Sequence, residues 1–185
     1  MADLVSRRAS LRLSADSYRD LAAICSVTIG VKARAPVFAD RSVAAAAVDV
    51  LRHHALRSGV SIWAYCVMPD HVHVVLSPSA TCDIVTFVAQ FKSLSLRAAW
   101  KLGIDGSFWQ PRFWDHFVRN GDDIDRVVRY VLENPVRAAL VERWDQYPFS
   151  GAPALPLLEE KCGGQAPALR PNRDIGGGGD PRDGA

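Results

Sequence analysis

A chain of 185 residues, 49% of them apolar, is long enough for one domain with a full core and short for two. Its four cysteines, Cys25, Cys66, Cys82 and Cys162, contain no CxxC pair, so neither a zinc ribbon nor a disulfide framework is suggested and a reducing compartment fits. A net charge of +2 singles out no partner class, although lysine is confined to Lys32, Lys92, Lys101 and Lys161, so most of the basicity is arginine, the better phosphate fork.

The N-terminal segment is polar and contains Arg7, Arg8 and Arg12 without an apolar signal core. The longest apolar-rich run, Leu21 to Val31, is too short to span a bilayer, and a cytoplasmic protein without membrane association is expected. That run alternates enough to be a strand up to Ile29. Ser42 to Arg57 is Ala-rich, with Ser42 placed to cap a helix and Gly59 to stop it, and its His53 and His54 read as surface residues. Ser61 to Val67 and His71 to Leu76 are β-rich runs joined by Met68-Pro69-Asp70, which predicts a hairpin.

The second hairpin strand carries His71 and His73 at i and i+2, so the two imidazoles share a face while Val72 and Val74 point to a core. Two neutral imidazoles are half of a metal site, and a third ligand must come from elsewhere. The plainer alternative is an exposed His-x-His on a half-buried strand that binds nothing.

Ile84 to Leu102 has helical period, with Val85, Val88, Phe91, Leu94 and Leu96 expected mostly inward. Phe108 to Val118 is aromatic and strand-like, broken by Pro111. Asp122 to Asn134 is a second clear helix ended by Pro135. At 3.6 residues per turn from Ile124, its buried stripe is Val127, Val128, Val131 and Leu132, with Tyr130 at about 240° and Asn134 at about 280°, stacked on the border. Without further information, Tyr130 reads as a border aromatic with a wet hydroxyl and Asn134 as a helix stop. The order β-α-β-β-α-β-α predicts an α+β domain, helices on an antiparallel sheet, of the ferredoxin-like kind. From about Gly151 the composition turns to Pro, Gly and Ala, which predicts a domain over residues 1–150 and a disordered tail over 151–185 whose Leu155, Leu157 and Leu158 could dock its beginning. The tail holds four Lys/Arg and five Asp/Glu, leaving 18 basic against 15 acidic residues, or +3, on residues 1–150.

Taken in order, Tyr65-Cys-Val-Met-Pro-Asp-His-Val-His-Val-Val-Leu76, Phe108-Trp-Gln110, Asp115-His-Phe-Val-Arg119, Tyr130-Val-Leu-Glu-Asn-Pro-Val-Arg-Ala138 and Tyr147-Pro-Phe-Ser150 resemble the REP-associated tyrosine transposases, relatives of the single-tyrosine HUH transposases. The resemblance runs from about residue 22 to 150. It implies a ferredoxin-like HUH nuclease fold in which His71, His73 and Asn134 hold one Mg²⁺ or Mn²⁺ and Tyr130 is the nucleophile. The implied activity is cleavage and rejoining of single-stranded DNA at hairpin-forming repeats through a covalent 5′-phosphotyrosine, by a monomer or a homodimer. Two departures stand out: Asp70 where the family more often has Asn, and Ala139 where it has Gly. Asp70 could then add a carboxylate near the metal.

For the nucleic acid, Trp109, Phe113, Trp114 and Phe117 offer stacking faces interleaved with Arg112, His116 and Arg119, although at least half of these aromatics are expected to fill the core instead. Arg137, just past the nucleophile helix, is a further phosphate candidate, with a salt bridge as its plainer role. The alternatives to the enzyme are a hairpin-binding protein that retains the fold without cleavage, and a small metalloprotein built on His71 and His73 with no nucleic-acid role.

Overall fold

The computed structural model describes residues 15–118 and 124–154. Alternation of Cys25, Val27 and Ile29 with polar neighbours builds strand β1 (Ile24–Gly30), three residues later than the apolar run begins. Helix α1 (Arg41–Ser58) is capped by Asp40 rather than Ser42: its carboxylate accepts from the Ser42 and Val43 amides, and Gly59 ends the helix at φ 70°. Strands β2 (Ser61–Met68) and β3 (His71–Ser77) form the expected hairpin, Met68 opposite His71 across Pro69-Asp70.

Helix α2 (Ile84–Trp100) is capped by Asp83 and buries Ile84, Phe87, Val88, Phe91, Ser95 and Ala99. Val85 and Leu94, expected inward, are 45% and 37% exposed, because the buried stripe starts at Ile84 and the two residues flank it. The aromatic stretch after it is a strand only over β4 (Trp114–Val118), since Pro111 has no N–H to donate to a ladder. Helix α3 (Ile124–Leu132) buries Val128, Val131 and Leu132, with Val127 half-buried, and a short α4 (Asn134–Arg137) follows. A two-residue β5 (Ser150–Gly151) closes the order.

The antiparallel sheet runs β4-β1-β3-β2-β5, with β3 paired between β1 and β2 as in the split βαβ arrangement of ferredoxin-like domains. Cys25, Val27 and Ile29 stand opposite Leu76, Val74 and Val72 on one fully buried face, beneath the packed pair of α1 and α2. The other face is divided. Its β2 side, with Ala64, Cys66, Met68 and the neighbouring Val75, is buried where α3 lies against β2 and β3. Its β1 side, with Ser26, Thr28, His71 and His73, is only half-buried.

Tyr147 and Phe149 clasp the outer edge of β2: the Tyr147 hydroxyl donates to the Val67 carbonyl at 2.8 Å, and the Val67 amide donates to the Phe149 carbonyl at 2.8 Å. Gly151 pairs with Tyr65, and Gly151 and Ala152 are both buried, so the folded body reaches past Ser150. The remaining tail from residue 155 and the N-terminal arginines lie outside the described residues.

Candidate active site on the open face of the sheet

In-register pairing sets three rows across the half-buried face. Trp114, Thr28, His73 and Cys66 occupy one row; His116, Ser26, Val75 and Ala64 the next; Gly30, His71 and Met68 the third. Because successive strands stand about 4.8 Å apart, the row from Trp114 to Cys66 places an exposed indole two strands from His73. Trp114 is 67% exposed.

The two imidazoles converge. His71 Nε2 and His73 Nε2 lie 2.9 Å apart, with the rings nearly perpendicular. Their outer nitrogens are both engaged: His71 Nδ1 with Asp70 Oδ1 at 2.5 Å, and His73 Nδ1 with Thr28 Oγ1 at 2.9 Å. A carboxylate only accepts, so the proton sits on His71 Nδ1 and a neutral His71 presents the Nε2 lone pair, which then accepts from His73 Nε2. Thr28 can donate or accept, so it serves either tautomer of His73. Burial, followed by the coulombic influence of the neighbouring His71 ring, pushes His73 down to about 4, against the pull of Asp70, and keeps it neutral at physiological pH. Burial also opposes ionisation of Asp70, but the hydrogen bonds from Arg34 and His71 outweigh it and hold the carboxyl below its ordinary range.

These nitrogens fit a divalent cation. Two ligands at right angles, each about 2.1 Å from a shared ion, stand about 3 Å apart, close to the separation of the two Nε2 atoms. Among the described residues no group of three or more His, Cys, Asp or Glu side chains is arranged to hold a metal ion, so a third donor to the two imidazoles would have to be of another kind. Asn134 has the right chemistry: its Nδ2 donates to the Tyr130 and Val131 carbonyls at 2.9 and 3.2 Å, fixing the side chain at the end of α3 with its Oδ1 as the acceptor end. The helix ends at Leu132 instead of continuing to Asn134, because Pro135 is the first residue that cannot continue the ladder and the Asn134 amide takes over two of the last carbonyls. Asp70, considered as an added ligand, has both carboxylate oxygens occupied, Oδ1 by His71 and Oδ2 by Arg34 Nε at 2.9 Å.

Tyr130 is 46% exposed on α3, and the Arg137 guanidinium lies 4.4 Å from its ring centroid while donating to Glu133 at 3.2 Å. Arg137 thus makes both the salt bridge and a cation–π contact beside the candidate nucleophile. Arg112 is exposed. Trp109 is not a stacking surface: it is 5% exposed, packs against Phe38, Phe91 and Phe108, and donates its Nε1 to Ser95 Oγ at 3.1 Å. Arg119 lies outside the described residues. His53 is exposed as expected, whereas His54 is half-buried, stacking on Phe87 at 4.5 Å with its Nε2 buried.

Sequence reasoning missed Thr28 and Arg34 as neighbours of the site, and it quoted Gln110 within a motif without giving it a place there. The Gln110 amide lies over Gly30, beside His71, and donates to the Val31 carbonyl at 3.1 Å; a Cβ at Gly30 would meet its Oε1 at 2.9 Å. A glycine closing the β-rich run Val27-Thr28-Ile29 was the available signal for that close approach.

A ferredoxin-like antiparallel sheet with helices packed on it, and a His-x-His pair on its half-buried face, defines the class, an α+β domain. Residues 23–134 match the family model described as IS200-like transposase, and the chain belongs to that family. Among curated proteins it is similar to the REP-associated tyrosine transposase of Escherichia coli K12, 32% identical over 88 residues covering 47% of this chain and 51% of that one. It is also similar to a protein of Haemophilus influenzae Rd described as a putative REP-associated tyrosine transposase, 28% identical over 98 residues, with 47% and 56% covered. The chain thus spans about half the length of the curated relatives it matches. The same fold occurs in a solved REP-associated tyrosine transposase bound to a REP hairpin, with TM-score 0.61, 24% identity, and 81% of this chain and 82% of that one covered.

Proposed function

We propose that the chain is a metal-dependent transposase that cleaves and rejoins single-stranded DNA at hairpin-forming repeats through a 5′-phosphotyrosine on Tyr130. The observation that carries this reading is the convergence of His71 Nε2 and His73 Nε2 on one point of the sheet face against which the Tyr130 helix packs. Its support from relatives is the structural neighbour of the same fold, which is bound to a REP hairpin.

His71, His73 and Asn134 Oδ1 would hold Mg²⁺ or Mn²⁺. When bound, the ion polarises a phosphate oxygen and stabilises the charge that builds in the transition state. The chain's own groups do the rest. Thr28 and Asp70 keep the imidazoles turned so that both Nε2 atoms face inward. Arg137, beside the Tyr130 ring, places a fixed positive charge where the phosphate enters, and exposed Arg112 offers a phosphate contact farther out. Trp114 supplies a stacking face for an unpaired base.

The Tyr130 oxygen attacks phosphorus, its proton passing to solvent, while the P–O3′ bond breaks and the 3′-oxygen leaves as a hydroxyl. The 5′-phosphate stays on Tyr130 with its bond energy conserved, so attack by a free 3′-hydroxyl restores a phosphodiester and the tyrosine. The test is incubation of the full chain with hairpin oligonucleotides bearing single-stranded flanks and Mn²⁺, followed by denaturing electrophoresis. A covalent protein–DNA band is expected, absent with chelator and absent in Tyr130→Phe. Hairpin binding without any adduct would leave a binding protein, and an undiminished adduct in Tyr130→Phe would remove Tyr130 as the nucleophile.

A further inference from the structure

The segment between β1 and α1 is backbone-strained where it meets the metal-binding face. Ala33 and Arg34 both sit at φ 53°, the left-handed region that favours glycine, and neither is glycine. The same segment grips the β2–β3 turn: the Val31 amide donates to the Asp70 carbonyl and the Phe38 amide to the Pro69 carbonyl, each at 2.9 Å. From that strained position Arg34 Nε reaches Asp70 Oδ2 at 2.9 Å, while Asp70 Oδ1 accepts from His71 Nδ1. Arg34 is 79% exposed at its side chain, so this ion pair contributes little to stability as a surface contact. A costly backbone conformation is thus kept for a side chain that scarcely stabilises the fold.

We infer that Arg34 and Asp70 form a positioning relay for His71, in which Arg34 holds the carboxylate and the carboxylate holds the ring with its Nε2 lone pair toward the shared metal position. The inference rests on the reading that His71 and His73 hold a divalent cation. The relay needs a carboxylate specifically. Asn at position 70 has one acceptor oxygen, and once His71 takes it the remaining NH₂ faces the donors of Arg34. It also needs arginine at a position where glycine would be easier to accommodate, which is the signature of strain retained for function.

The experiment is Mn²⁺ titration of the full chain by electron paramagnetic resonance, alongside thermal melts, for the natural sequence, His71→Ala, Arg34→Gly, Asp70→Asn and the Arg34→Gly/Asp70→Asn double variant. Arg34→Gly removes the guanidinium and relieves the left-handed φ together, so its melting temperature should hold or rise while its Mn²⁺ Kd rises about tenfold. Asp70→Asn should weaken Mn²⁺ binding at least as much, and the double variant no further, because both changes break one chain of contacts. Imidazole ¹⁵N spectra should show His71 with its proton on Nδ1 in the natural sequence and a mixture of tautomers in Asp70→Asn. If Arg34→Gly and Asp70→Asn bind Mn²⁺ within twofold of the natural sequence while His71→Ala does not, the relay is overturned and the metal reading stands. If His71→Ala binds as well as the natural sequence, both fall.

Discussion

Burial decides what each side chain of this domain can do chemically. Cys25 lies fully inside the sheet, and burial, aided by the nearby Asp115 charge, pushes its thiol from 9.0 up to about 12. Burial raises Cys66 and the Tyr147 phenol as well. The folded state therefore holds these protons more tightly than the unfolded chain does. For Cys25 the contribution to stability is complete below pH 9 and is lost as pH rises from 9 toward 12. The melting temperature should accordingly fall above pH 9, and the fall should be shallower in Cys25→Ala; an identical fall would assign it to other groups. Trp114 is the opposite case, a large apolar side chain 67% exposed in line with Thr28 and His73. Trp114→Ala should leave the melting temperature nearly unchanged yet weaken single-stranded DNA binding by about 1–3 kcal/mol, the range for one stacked base. Fluorescence anisotropy with a flanked hairpin would measure it, and unchanged affinity would take Trp114 out of the interface.

Among the elements, the junction of α3 and α4 departs most from the periodic reading. A wheel extended to Asn134 treats the helix as unbroken, whereas the chain breaks at Glu133 and Asn134 opens the next turn, held by its side-chain bonds to the Tyr130 and Val131 carbonyls. The turn that ends α4 passes through Ala139 at φ 54°. Left-handed backbone burdens any residue with a Cβ, so Ala139→Gly should raise stability by roughly 1 kcal/mol, a few degrees in melting temperature for a chain of this size. Because Ala139 is exposed, removing its methyl sacrifices no packing. A variant melting no higher than the natural sequence would mean that the greater chain entropy of glycine offsets the relief. The resemblance had marked this position as a departure from Gly, but its backbone angle was not legible from residue identity.

At the scale of the whole molecule, charge is too modest to supply selectivity. Residues 1–150 carry 18 basic and 15 acidic residues, so if the chain binds single-stranded DNA as proposed, few phosphate contacts are expected. Log affinity for single-stranded DNA should fall with log salt by about 0.7 per contacted phosphate, giving a shallow slope. Discrimination must then come from hairpin shape and stacked, unpaired flanks. A hairpin with a single-stranded flank should bind more tightly than a fully paired duplex of the same sequence; equal affinities at matched salt would point to a general duplex binder instead.

The sequence by itself determined the hairpin, the shared face of His71 and His73, the order of strands and helices, and the stripe that docks α3, because alternation and helical period are local properties of the chain. It also carried the family resemblance that the match over residues 23–134 bears out. Tertiary structure decided the rest. Trp109 went to the core and Trp114 to the surface, although they stand five residues apart in one aromatic run, because only the packing of α2 against the sheet determines which indole is covered. Asp70 became the partner of His71 and Arg34 rather than a free carboxylate, and Thr28 the partner of His73, because those contacts join residues 36 and 45 positions apart. Pairing at such distances follows from how the strands and the strained turn after β1 are brought together, which no local pattern records.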